Sequence, residues 1–155
     1  MNVRFRKLID SLQPQLEAIV NCQPFKRSSI AREIPEAGIY LFSEGQKHLY
    51  VGRSAHLRSR ILEHGRPSGD SYTATFAFLI ARHQTGKTKA SYKSHGSRQD
   101  LLRDPKFLEA FSNAKTRVAR CDIRYVEEND PIRQAVLEIF IAISLGTPYN
   151  SFDTH

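Results

Sequence analysis

The sequence predicts a small α+β domain: three strands in a mainly antiparallel sheet, flanked by helices. Three observations point there. Two short alternating segments, 38–43 and 47–52, are separated by Ser43-Glu44-Gly45-Gln46, which reads as a hairpin. Long segments before and after them carry apolar residues at helical spacing. A third alternating segment, Cys121-Asp122-Ile123-Arg124-Tyr125, stands between two of the later helical stretches. At 155 residues the chain suits one compact core.

Each element has its own signal. Phe5, Leu8, Ile9, Leu12, Leu16, Ile19 and Val20 give the first twenty residues a helical stripe, which Pro14 splits or kinks. Residues 21–32 are polar and read as an irregular connector, so 1–32 is taken as an N-terminal helical extension and 33–155 as the main domain. Ser54 is placed to cap a helix reaching His64, and Gly65, Pro67 and Gly69 end it. Ser71 opens a helix rich in Phe76, Phe78, Leu79 and Ile80. Residues 84–99 form a long polar insertion. Asp104-Pro105 and Asp130-Pro131 each read as a helix cap followed by the first helical residue. The first of these helices buries Phe107, Leu108, Phe111, Ala114 and Val118. The second runs to Leu145, stopped by Gly146 and Pro148.

Composition narrows the function classes. The net charge is +7 and the pI about 9.6, a balance that favours a polyanionic partner. Between Arg82 and Gln99 there are five Lys or Arg (Arg82, Lys87, Lys89, Lys93 and Arg98) and no acid. Between Arg53 and Arg66 there are four Arg against one Glu. These stretches nominate Arg53, Arg58, Lys87, Lys89, Lys93 and Arg98 as contacts to a nucleic-acid backbone, against the commoner reading of solvated surface. Cys22 and Cys121 form no metal-binding or disulfide motif and read as reduced thiols in a cytoplasmic protein. No apolar run is long enough for a membrane span. Thr85-Gly86-Lys87-Thr88 lacks the earlier glycine and preceding strand of a phosphate loop, so no nucleotide cofactor is expected.

The residues that can carry chemistry lie in three places. Alternation puts Ile39, Leu41, Leu49 and Val51 on the core face of the hairpin, and Tyr40, Phe42, His48 and Tyr50 on the other. Two tyrosines there are either cross-strand packing or part of a site. Arg60 and His64 share one side of the next helix, and a guanidinium there suits a surface ion pair or a phosphate. Glu138 is the one charge between Ala135 and Leu145 in a helix apolar almost all round. So apolar a helix should be buried, and a buried carboxylate needs a cation: an arginine or a divalent metal.

Gly38-Ile39-Tyr40, with Tyr50-Val51-Gly52 ten residues on from tyrosine to tyrosine, resembles the signature of the GIY-YIG nuclease family. Arg60 and His64, ten and fourteen residues after Tyr50, resemble that family's catalytic arginine and a histidine found in several of its branches. Glu138 resembles its metal-binding glutamate, and Asn150, twelve residues later, the asparagine that closes its site. Val51 is a conservative departure. The resemblance covers about residues 35–151; 1–32 and 84–99 look like additions.

That resemblance implies the GIY-YIG type of fold and a DNA endonuclease with one active site and one divalent ion, Mg²⁺ (or Mn²⁺). Glu138 holds the metal, Arg60 neutralises charge on the phosphoryl group, and Tyr40 is the base for the attacking water, assisted by Tyr50. His64 relays a proton or orients Tyr40, and Asn150 supports the phosphate or the site's geometry. An unperturbed phenol is only ~0.1% ionised at pH 7, and Arg60 with the metal is expected to lower the pKa of Tyr40. The alternative is a non-catalytic nucleic-acid-binding module of the same fold.

Overall fold

The computed structural model describes residues 1–88 and 97–152. The chain divides into two compact units, one of residues 1–61 with 121–150 and one of residues 62–120 with the tail from 151. Among the described residues no helix is long and apolar enough to cross a membrane.

The first unit is built on a sheet of four strands, β1 (Phe25–Lys26), β2 (Gly38–Glu44), β3 (Lys47–Ser54) and β4 (Asp122–Glu127). Their order is β1-β4-β2-β3 and every pairing is antiparallel. The expected count of three is corrected by β1, which lies in the supposed connector. Two residues are too short to show alternation. β1 is held instead by tertiary contacts: Lys26 Nζ meets Asp122 Oδ1 at 2.9 Å, and the Phe25 ring meets Tyr125 edge-on at 5.7 Å. Gly45, at φ 59°, makes the hairpin turn, and its N–H donates to Asp122 Oδ2 at 3.2 Å.

Helices α1 (Val3–Asp10) and α2 (Gln13–Asn21) break where Pro14 enters the first turn of α2. They are not peripheral. Leu12 and Ile19 are fully buried in one cluster with Ile39, Leu41, Val51, Leu137, Ile141 and Ala142. This cluster joins α1, α2 and α7 (Pro131–Leu145) to one face of the sheet. Asp130 caps α7 by accepting from Arg133 N at 2.8 Å, and Gly146 ends it with φ 62°. The expectation that α7 is buried all round is corrected: Ile132, Ile139 and Ile143 are exposed, so only the stripe through Gln134, Leu137, Ile141 and Ala142 is covered.

Helix α3 (Leu57–His64) begins three residues beyond Ser54, which stays in β3 while its Oγ accepts from His56 N at 2.9 Å. The second unit contains α4 (Thr75–Thr85), the short α5 (Arg98–Leu101) and α6 (Pro105–Ala119). α4 starts later than Ser71 because Asp70 Oδ1 first takes the N–H groups of Tyr72 and Thr73, each at 2.9 Å, in a local turn. Gly86 ends α4, so the insertion opens at a helix C-terminus. Asp104 caps α6, whose buried stripe is Phe107, Phe111, Ala114 and Val118; Leu108, expected there, is exposed.

Glu128 ties the helices to the end of β4. It is 9% exposed, accepts from Gln15 Nε2 at 2.8 Å, Asp130 N at 3.1 Å and Arg133 Nε at 2.9 Å, and Arg133 in turn reaches Ser11 and Gln15. Burial raises the pKa of Glu128, but the bonds from Gln15, Asp130 and Arg133 together outweigh it and hold the carboxyl below its ordinary value. A carboxylate with a lowered pKa adds stability above its unfolded pKa and loses it as pH falls through the folded one. Glu128→Gln should therefore cost about 2 kcal/mol at pH 7. In urea unfolding the gap to wild type should close as pH drops through the carboxylate range. An equal gap at neutral and acid pH would show that the charge of Glu128 is not what stabilises this corner.

Candidate active site

The site is built by strand register. Tyr40 on β2 stands opposite Gly52 on β3 and Tyr125 on β4, and Phe42 stands opposite Tyr50. Cross-strand partners share a face, so Tyr40, Phe42 and Tyr50 are brought together as the alternation predicts. The Tyr40 and Tyr50 ring centroids lie 6.4 Å apart, and Tyr40 meets Phe42 edge-on at 5.7 Å.

Gly52 makes this arrangement possible. A Cβ built there would lie 2.8 Å from Tyr40 Cε2 and nearer still to Cζ and the phenol oxygen. The Tyr40 ring thus lies across bare backbone. Gly38 has a parallel role, since a Cβ there would run into the carbonyl of Val126 on β4. The glycines of both tripeptides are fixed by close approach.

Tyr40 is 1% exposed, and its phenol oxygen takes a hydrogen bond from Arg60. Tyr40 also bonds to the less deeply buried Tyr50. The three form a chain, Arg60–Tyr40–Tyr50. Its electrostatics set burial against the expected pull of Arg60. Arg60 does pull the Tyr40 pKa down, but burial, aided by Tyr50, outweighs it and leaves the phenol well above its ordinary value. Tyr50 is pushed up to about 12, first by burial and then by Glu138, against the opposing pull of Arg60 and Tyr40.

Glu138 therefore stands within electrostatic reach of both phenols. Its cation in this structure is Arg53, whose Nε meets Oε2 at 3.0 Å; the Glu138 side chain is 21% exposed. Burial raises the carboxyl pKa and Arg53 works against that rise. Arg53, nominated as a backbone contact, is thus engaged at the acid. Alternation offered a signal for this, because Arg53 follows Val51 on the face that carries Ile39.

Asn150 clamps the backbone of β3. Its Oδ1 accepts from Val51 N at 2.9 Å and its Nδ2 donates to Val51 O at 2.8 Å, as a neighbouring strand would. Thr147 Oγ1 donates to the same Oδ1 at 2.7 Å, and Tyr149 N donates to Leu49 O at 3.2 Å. The segment after α7 is so clipped to the outer edge of β3, between Tyr50 and Gly52. These bonds hold the backbone of β3 at Val51.

His64, the last residue of α3, is fully buried and belongs to the second unit, where its Nδ1 accepts from Phe76 N at 3.5 Å. His48 is not on the tyrosine face. A bulge between Phe42 and Ser43 pairs it with Ser43, whose Oγ lies 2.8 Å from His48 Nδ1 and accepts from Arg124 at 3.5 Å. Arg58 lines a separate groove of about 420 Å³ with Arg32, Glu36, His56 and Ser59, and donates to Ala31 O at 3.0 Å. Lys87 is exposed, and Arg98 packs on aromatic rings within the second unit. Lys89 and Lys93 lie outside the described residues.

The two cysteines are free thiols. Among the described residues no group of three or more His, Cys, Asp or Glu gathers as a metal cage. Comparison of the chain with family models, with curated proteins and with solved structures finds no match.

The buried chain makes a spectroscopic prediction. In an ultraviolet pH titration Tyr40 and Tyr50 should stay protonated well past the ordinary phenol value near 10. Gly52→Ala, which removes the room for the Tyr40 ring, should return at least one of them toward the ordinary value near 10. It should also cost about 1–3 kcal/mol of stability. Tyr40 and Tyr50 titrating near 10 in the wild type would contradict the buried chain.

Proposed function

We propose that the chain is a divalent-metal-dependent DNA endonuclease that hydrolyses phosphodiester bonds at one active site of the GIY-YIG type. The observation that carries this reading is the assembly in one unit of Tyr40, Tyr50 and Arg60 as a hydrogen-bonded chain with Glu138 in electrostatic reach. A fold alone requires neither an arginine spent on a buried phenol nor a half-buried acid beside two phenols. Phosphoryl hydrolysis uses all of them: a cation for the phosphoryl charge, an oxygen ligand for a metal, and a phenol oxygen that orients the attacking water and, once ionised, takes its proton.

Glu138 suits Mg²⁺ (or Mn²⁺). It offers a hard carboxylate oxygen that is not closed off from solvent, and Mg²⁺ is commonly held by one or two carboxylates, keeping waters and substrate phosphate oxygens as its other ligands. Such an ion, when bound, supplies Lewis-acid stabilisation of the phosphate and leaving oxygen. Arg53 then shares the carboxylate or turns to the phosphate, which keeps it among the nucleic-acid contacts. Arg60 serves the charge that builds on the phosphoryl oxygens. Tyr50, the less buried phenol, meets the attacking water. Tyr40 stands behind it, linking it to Arg60, so the two phenols titrate as one coupled pair, which takes the proton of the water only after it has itself released one to solvent. DNA is the partner in this reading and the cytoplasm its place; Arg58, Lys87, Lys89, Lys93 and Arg98 extend the contact along the backbone.

A second reading, a nucleic-acid-binding module that does not cut, is favoured by one observation: Arg53 already neutralises Glu138. Glu138→Gln separates the two. A carboxylate whose pKa is raised in the fold is destabilising while charged, so at neutral pH the glutamine variant should unfold at the wild-type temperature or slightly above. Under the nuclease reading, cleavage should fall by at least about a hundredfold, which is ~2.7 kcal/mol of transition-state stabilisation. DNA affinity should change little. Full cutting by the variant at low Mg²⁺ would remove Glu138 from the metal site. Binding without cutting by both proteins would select the module.

A further inference from the structure

The second unit holds a cluster that the proposed chemistry does not use. Phe78 on α4 meets the edges of Phe107 at 5.2 Å and Phe111 at 5.6 Å, and so is locked in its core. Two guanidiniums lie against the same ring, Arg82 at 5.1 Å and Arg98 at 5.3 Å from its centroid. Arg98 also covers one face of Tyr72, at 4.7 Å from that centroid. Tyr72 is 70% exposed, so the rest of its ring stands open.

The charges here are poorly compensated. Arg82 is 5% exposed, and its Nη1 donates to the carbonyl of Lys87 at 3.0 Å. Among the described residues no carboxylate forms an ion pair with Arg82 or Arg98. Burial, and then Arg98, pull the Arg82 pKa down. Arg98 Nη1 donates to Ser71 O at 2.9 Å. Asp70 is within electrostatic reach of Arg98, but its Oδ1 accepts from Tyr72 N, Thr73 N and Thr73 Oγ1. Two like charges thus converge on carbonyls and ring faces, with Lys87 exposed just beyond α4. Ring faces and carbonyls offset only part of the cost of burying a guanidinium. An anion would relieve it, and a phosphodiester matches the guanidinium fork.

Tyr72 narrows the ligand further. An exposed ring backed by a guanidinium is a stacking platform for a nucleobase. A base inside a duplex has both faces covered by its neighbours, so the platform suits an unpaired one. We propose that Tyr72, Arg98 and Arg82 form a subsite for an unpaired nucleotide, its base on Tyr72 and its phosphate on Arg98 with Arg82 behind. The subsite rests on the nucleic-acid reading above and gives it a substrate class: DNA with a single-stranded end, flap or bubble.

The test is equilibrium binding of the full chain, with chelator present to stop cutting, to a fluorescent oligothymidylate and to a blunt duplex across a salt series. Tyr72→Ala, at an exposed position that leaves the fold intact, should weaken single-strand binding about tenfold, the worth of one stacked base. Tyr72→Phe should bind like the wild type. Arg98→Gln should reduce the log–log salt slope on the single strand by about 0.7, one phosphate contact. Duplex affinity should change far less in the two Tyr72 variants. If natively folded Tyr72→Ala and Arg98→Gln bind the single strand as the wild type does, or if Tyr72→Ala weakens single-strand and duplex binding equally, the subsite is wrong and the nuclease reading stands. If the wild type binds neither DNA, both fall together.

Discussion

The site depends on one steric fact: Tyr40 lies across Gly52. The antiparallel register of β2 and β3 places a large ring opposite a residue with no side chain, and the ring fills that space. Its hydroxyl is thereby carried to Arg60 on α3 and to Tyr50 on the neighbouring strand. A slip of one residue in this register would reverse the faces of the strand and scatter all three groups. The core residues Ile39, Leu41 and Val51 on the opposite face resist such a slip, because they are held against α2 and α7. Asn150 adds a second lock by bonding both backbone groups of Val51. Core packing and site geometry are thus the same constraint seen from the two faces of one hairpin.

Burial sets the electrostatic character of the site. It raises the pKa of both phenols and of Glu138, and each is answered by an arginine, Arg60 for the phenols and Arg53 for the acid. The groups are poised rather than relaxed. Neither phenol ionises readily by itself, and the acid is destabilising while charged. Glu128 contrasts with this. Surrounded by donors from Gln15, Asp130 and Arg133, it has its pKa held down and serves stability. Groups whose environment opposes their charged form are more often tuned for function than for folding, though ion-pair networks can shift pKa values too.

Much of this was legible in the sequence, for definite reasons. The hairpin, the split at Pro14 and the capped starts of α6 and α7 follow from local chemistry, which a sequence carries openly. Tyr40, Tyr50, Arg60 and Glu138 stood out by alternation, helical spacing and an isolated charge, and the resemblance joined them into one candidate site. What escaped depends on tertiary context. β1 is two residues long and exists only through its partners. The bulge at Ser43 moves His48 to the other face, and no residue type announces it. The apolar run of α7 suggested burial on all sides, yet composition cannot say which turns of a helix meet a neighbour. Arg53 looked like one more basic surface residue until its pairing with Glu138 was seen.

The central claim is that this constellation cuts DNA with the help of a divalent ion. The direct measurement is conversion of supercoiled plasmid by the purified full chain, in Mg²⁺ and in chelator, followed on a gel. The account predicts nicked circles accumulating first in Mg²⁺, because one active site cuts one strand per visit. It predicts no conversion in chelator. Plasmid left supercoiled in Mg²⁺ and in Mn²⁺ by a natively folded protein that still binds it would contradict the account.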